Sequence, residues 1–193
     1  MTDFRTRAFE EREKSALKRL ASRIPGYAGY YEKELRRDAD RLLREYVAGR
    51  LEQQRRRLTE FQQEWLRTSG LALMGEMDEV TRKLQTLIDR LRSAVYGYAG
   101  WFDTLTVREE ALDALYDYDA TLLDEADALE VEIQAFGQAV QQQGDARSAL
   151  TTLRERLVGL HEKVDRRRAI LTGALPPAGE PPSTPAEEEV PQA

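Results

Sequence analysis

The chain has 193 residues, of which 33% are charged and 41% hydrophobic, and a formal net charge of −6. That length suits one domain with a real core plus a tail, and the complete absence of cysteine removes disulfides, Cys-based zinc sites and thiol catalysis together, which fits a reducing cytoplasm. No apolar run approaches the roughly 20 residues that cross a bilayer, and charges from Arg5 to Lys14 break up any signal-peptide core.

The first predicted helix lies within residues 1–25. Phe4, Ala8, Leu17, Leu20, Ala21 and Ile24 give it an apolar side, and seven bases against four acids leave it at +3. Two uses follow: packing of the stripe on a helical core, or lying on anionic lipid. Pro25 removes an amide donor and pushes Ile24 out of the helical region, so the helix ends near Arg23.

A joint follows, Gly26-Tyr27-Ala28-Gly29-Tyr30-Tyr31-Glu32, and it recurs as Gly97-Tyr98-Ala99-Gly100-Trp101-Phe102-Asp103. Each copy is Gly-Tyr-Ala-Gly, two aromatics and an acid, and each has a β-branched residue, Ile24 or Val95, two places upstream. Between the copies the second helix is expected from about Tyr31 to Arg67, with Ser69-Gly70 as a tip or kink. Its arginines (Arg36, Arg37, Arg41, Arg44, Arg50, Arg55, Arg56, Arg57) alternate with acids, which points to pairing within the helix and dilutes any field toward nucleic acid.

The third helix should run from Leu71 to Tyr96, with Gly97 as its left-handed cap. Leu73, Met77, Val80, Leu84, Leu87, Leu91 and Ala94 step by four and three along it as a heptad seam. Past the second joint, Thr106-Val107-Arg108-Glu109 fits a capping box that starts the fourth helix at Val107. There Leu115, Leu122, Leu129 and Phe136 form one row, and Leu112, Ala126, Ile133 and Val140 a second row interrupted by Asp119. Residues 103–136 carry a charge of −10, while residues 145–173 return to +3. Such a split reads first as internal design, fixing which helices pair. Gln141 to Asp145 form the next turn, and the fifth helix carries Leu150, Leu153, Leu157, Leu160, Val164 and Leu171 before fading at Gly173.

The predicted class is therefore all-α: an antiparallel helical bundle of about five helices with long coiled-coil-like hairpins. The domain spans 1–174, made of the N-terminal helix (1–25), a first joint and hairpin (26–96) and a second joint and hairpin (97–173). Leu43-Arg44-Glu45-Tyr46-Val47-Ala48 is echoed by Leu115-Tyr116-Asp117-Tyr118-Asp119-Ala120, which suggests a duplicated hairpin with both joints at one end. Residues 175–193, rich in Pro and Glu, are expected to form a disordered tail.

Six aromatics at the joints, Tyr27, Tyr30, Tyr31, Tyr98, Trp101 and Phe102, are the candidate partner-binding residues, or else they plug the end of the bundle. No catalytic, cofactor or metal residues are assigned. The single histidine, His161, has Val158 three places before it, so the Glu-x-x-His pair of carboxylate bundle sites is missing, and the acids of the fourth helix read as a solvated or ion-pairing face. Nucleophile-elbow, Walker, dinucleotide and zincin motifs do not occur. The sequence points to a non-catalytic helical scaffold or adaptor, cytoplasmic, with a protein partner and a homo-oligomer as the expected associations and no nucleic acid. The alternative is a peripheral protein that binds anionic lipid through its first helix.

Overall fold

The computed structural model describes residues 16–27, 29, 36–94 and 109–171. The capping box at Thr106, the second joint and the tail lie outside the described residues. The architecture is an all-α bundle: α1 (residues 16–23), α2 (Arg36–Ser69), α3 (Met74–Ser93), α4 (Glu109–Gln141) and α5 (Ala146–Leu171).

The heptad rows become the core. Met77, Val80, Leu84, Leu87 and Leu91 of α3, Leu115, Leu122, Leu129 and Phe136 of α4, and Leu150, Leu153, Leu157 and Leu160 of α5 are all buried. Each fully buried aliphatic side chain of this kind contributes about 1.5–3 kcal/mol, so these narrow stripes are the main force holding the helices together.

The two hairpins are antiparallel within themselves. At one end of the first, Arg44 of α2 donates to the Leu91 carbonyl of α3 at 3.0 Å; at the other, the Trp65 indole N–H donates to the Ala72 carbonyl. Helices two and three are thus a hairpin and not a bent rod. Across the hairpins like runs beside like. Phe61 of α2 meets Phe136 of α4 edge-on at 6.4 Å, and Arg50 and Arg57 both reach Glu130. On the opposite side Glu76 pairs with Arg147, and further along Arg90 pairs with Asp165. The bundle is therefore two hairpins stacked in parallel, with α2 on α4 and α3 on α5.

The echoed segments occupy equivalent places in the two hairpins. Leu43, Arg44, Val47 and Ala48 are buried, and so are Leu115, Tyr116, Asp119 and Ala120, with Glu45 and Asp117 exposed in the same position of each.

The turns follow from backbone chemistry. α3 starts at Met74 instead of Leu71, because the turn uses two left-handed residues, Gly70 (φ 72) and Leu73 (φ 64), and so consumes Leu71–Leu73. The α4–α5 turn is a Schellman motif: Gln143 (φ 53) takes the left-handed position, and the Gly144 and Gln143 amides return to the Ala139 and Val140 carbonyls. Asp145 then accepts from the Ser148 amide at 3.0 Å, capping α5.

Candidate functional site at the joint end

The first joint closes against the bundle. Ile24 and Tyr27 are buried, Tyr27 at 6% exposure, and both belong to the same core as the helices. Gly29 adopts φ 86, and a Cβ there would come within 2.7 Å of Leu17 and 2.9 Å of the Tyr116 hydroxyl. Only glycine serves this position, because the backbone conformation and the close approach both exclude a side chain. Tyr27 thus sits in the end of the bundle. Tyr30, Tyr31, Tyr98, Trp101 and Phe102 lie outside the described residues.

Beneath the joint is a charged cluster with almost no access to solvent. Arg167 of α5 donates to Asp119 of α4 at 2.6 Å and to Asp40 of α2 at 2.8 Å. Asp40 also accepts from Arg44 at 2.9 Å, and Arg44 spends a second donor on the Leu91 carbonyl, an end group of α3. Asp40, Arg44, Asp119 and Arg167 are each 5% exposed or less. Among these four residues two acids face two bases, and together with the Leu91 carbonyl they touch all four long helices. Desolvating such charges is costly, and the arrangement persists because every carboxylate meets a guanidinium.

These four residues are absent from the aromatic candidates, and one signal for them stood in the sequence. Arg44 lies seven before Leu51 and fourteen before Leu58, Asp119 seven before Ala126, and Arg167 seven after Leu160, so each sits on a core row. A charge on a heptad core position fixes register at some cost in stability. Asp119 is ion-paired, but inside the core and not on a surface face of α4: it is wholly buried.

Five further acids of α4, Asp124, Glu125, Asp127, Glu130 and Glu132, form an ion-pairing face. Arg19 and Arg23 of α1 pair with Asp124, and Arg23 also with Asp127. Arg50 of α2 reaches Asp127 and Glu130. On the other flank Arg156 of α5 bridges Glu125 and Glu132, and Lys163 pairs with Glu125. The Arg156 guanidinium is held even more firmly protonated than usual, first by the hydrogen bond to Glu132 and then by that to Glu125. Among the described side chains of α2, Arg41 pairs with Glu45, Arg44 with Asp40, and Arg55 and Arg56 with Glu52, while Arg50 and Arg57 go instead to α4.

His161 bridges the hairpins. Its Nδ1 lies 2.9 Å from Arg90 and its Nε2 3.0 Å from the Lys83 carbonyl. Among the described residues no group of three or more His, Asp or Glu side chains is placed to hold a metal. A shallow groove of about 270 Å³ between α3 and α5 is lined by Glu79, Lys83, Arg154, Glu155 and Val158, and Lys83 pairs with Glu79 one turn away on α3 at 2.9 Å. Among the described residues the large apolar side chains left exposed are Leu66 and Leu71 around the α2–α3 tip, Val131 on α4 and Val158 on α5.

No helix among the described residues is long and apolar enough to cross a membrane. No protein-family model matches the chain, and neither a curated protein nor a solved structure matches it.

Proposed function

We propose that this chain is a non-catalytic helical scaffold or adaptor that binds protein partners, with the aromatic joint end as its docking surface. The observation that carries the reading is the commitment of the buried charged groups to one another: Asp40, Arg44, Asp119 and Arg167 are spent on holding four helices in one register. A rigid end with fixed register is what an aromatic docking surface requires, since preorganised Tyr and Trp anchors carry most of the binding energy at interfaces.

The test is capture of partners by the wild-type chain and by Tyr30→Ala with Trp101→Ala, after both are shown to be folded. The reading expects a defined protein retained by wild type and lost by the variant, with little change in melting temperature. A fall in melting temperature with unchanged capture would instead make these rings a plug.

The lipid-binding alternative uses α1. Its apolar row is buried in the core of the bundle and two of its arginines pair with acids of α4, so lipid binding would have to displace α1 from the bundle. Flotation on vesicles of mixed neutral and anionic lipid, compared between wild type and Arg19→Glu with Arg23→Glu, separates the two readings.

A further inference from the structure

Both hairpins turn at the end of the bundle opposite the joint, since α2 lies on α4 and α3 on α5 with like running beside like. Phe61 against Phe136 and Glu76 against Arg147 hold the two turns side by side. In a chain that is 33% charged, both turns are free of charge: residues 68–75 and residues 133–144 contain no Asp, Glu, Lys or Arg. The α4–α5 turn exposes Gln141, Gln142, Gln143 and Gly144. The α2–α3 turn exposes Leu71 at 81%, with Leu66 on the last turn of α2 at 44%. The neighbours of Leu71 build that turn: Gly70 and Leu73 supply the left-handed backbone, Trp65 and Leu73 pack against the core, and the Trp65 indole N–H donates to the Ala72 carbonyl. A polar residue would serve the turn at position 71 equally well.

We infer that this end is a membrane-contact surface, which sets Leu71 and Leu66 into the interface of a neutral, zwitterionic lipid layer. Three observations identify the occupant. The first is size. Four helices 8–10 Å apart present an end of about 400 Å², so two such ends pressed together remove about 800 Å² from water, short of the roughly 1,200 Å² that a stable protein pair needs. A lipid layer has no such minimum, because it accepts single apolar side chains. The second is the lack of charge across both turns, so that entry among the headgroups desolvates no ion there. The third is the charge just behind the turns, where Glu64, Glu76, Asp78 and Asp145 outnumber Arg67 and Arg147. That balance opposes an anionic surface and leaves a neutral one. The contact goes beyond the adaptor reading and lies at the other end of the molecule. With α2 34 residues long, the joint end stands about 50 Å from the lipid.

Two leucines give weak, reversible attachment, at or below the partition constant of about 10⁴ M⁻¹ that a single acyl chain provides. Flotation of the full chain with phosphatidylcholine vesicles at about 1 mM lipid is therefore expected to recover about half of wild type or more. Leu71→Glu should lower the partition constant at least about tenfold and leave the melting temperature unchanged, since residue 71 is 81% exposed. Leu71→Phe should bind at least as well as wild type, and Arg19→Glu with Arg23→Glu should bind as wild type does. Wild type that stays free of the vesicles, or Leu71→Glu that binds equally, overturns the inference. Binding that appears only when anionic lipid is added also overturns it and assigns the contact to α1. A lipid-free mass of twice 22.1 kDa that Leu71→Glu halves overturns it as well, and assigns the turns to a second copy. Partner capture at the joint end is measured without lipid, so the scaffold reading is judged separately.

Discussion

Arg167 and Asp119 form a 2.6 Å ion pair between α5 and α4 in which the two side chains are 3% and 0% exposed. Arg19 and Asp124 form a similar pair between α1 and α4, but at 48% and 51% exposure. The same two chemical groups therefore make very different contributions. Asp119→Ala leaves a buried positive charge in excess and should cost about 3–5 kcal/mol, whereas Arg19→Ala should cost less than about 1 kcal/mol. Urea unfolding of both variants measures the difference. Adding Arg167→Met to Asp119→Ala restores neutrality and should recover most of the loss.

Two glycines make opposite predictions. A Cβ at Gly137 would overlap the Phe61 ring, while one at Gly49 meets nothing within 4 Å. Overpacking of that kind costs about 1–3 kcal/mol, so Gly137→Ala should destabilise even after its gain in helix propensity. Gly49→Ala in α2 keeps the propensity gain alone and should stabilise by about 0.5–1 kcal/mol. Pairing Gly137→Ala with Phe61→Leu should relieve the first effect, as read by thermal melting.

Acid should loosen the α2–α4 contact. Glu130 is held below its ordinary value of 4.5, first by the hydrogen bond from Arg50, against partial burial, and then by Arg57. A carboxylate whose folded value is depressed contributes its full stabilisation above its unfolded value and loses it as pH falls through the folded one. Melting temperature should thus decline as pH drops below 4.5, the unfolded value. Glu130→Gln should lower the melting temperature at pH near 7 and make the acid decline shallower; an unchanged slope would remove Glu130 from the account.

His161 has a definite tautomer. Arg90 has only donors to offer, so Nδ1 must accept, and Nε2 must then carry the hydrogen that faces the Lys83 carbonyl. With one histidine in the chain, nitrogen-15 spectra of the neutral imidazole should give a single ring system with Nε2 protonated and Nδ1 bare. The reverse pattern would mean that Arg90 is bound elsewhere, and Arg90→Ala should release the preference.

The helices and their core rows were legible because a periodic stripe such as Leu84, Leu87 and Leu91 has one stable use in water, which is burial. Ser69-Gly70 marked the break between α2 and α3 as a tip or kink but not that it closes a hairpin, and the extra turn residues were not legible, since nothing in Leu73 advertises a left-handed backbone. The buried ionic cluster was harder to see. Asp40 and Arg44 are one helical turn apart and look like any surface pair; only the seven-residue spacing of Arg44, Asp119 and Arg167 from core leucines and alanine marks them as interior. Which acid meets which base across helices depends on a stacking direction that no single helix encodes. Parallel stacking is what sends Arg50 and Arg57 to Glu130.

The distance in sequence between α1 and its seat also has a consequence in time. Asp124 follows Arg19 by 105 residues, and at synthesis rates of about 5–20 residues per second a nascent chain waits roughly 5–20 s between making the helix and making the surface that receives it. During that interval the leading segment is without its carboxylates, while older chains on the same message have already finished theirs. Closure of α1 onto α4 is therefore a late step of synthesis, and slowing translation should lengthen the interval in which α1 is open to protease.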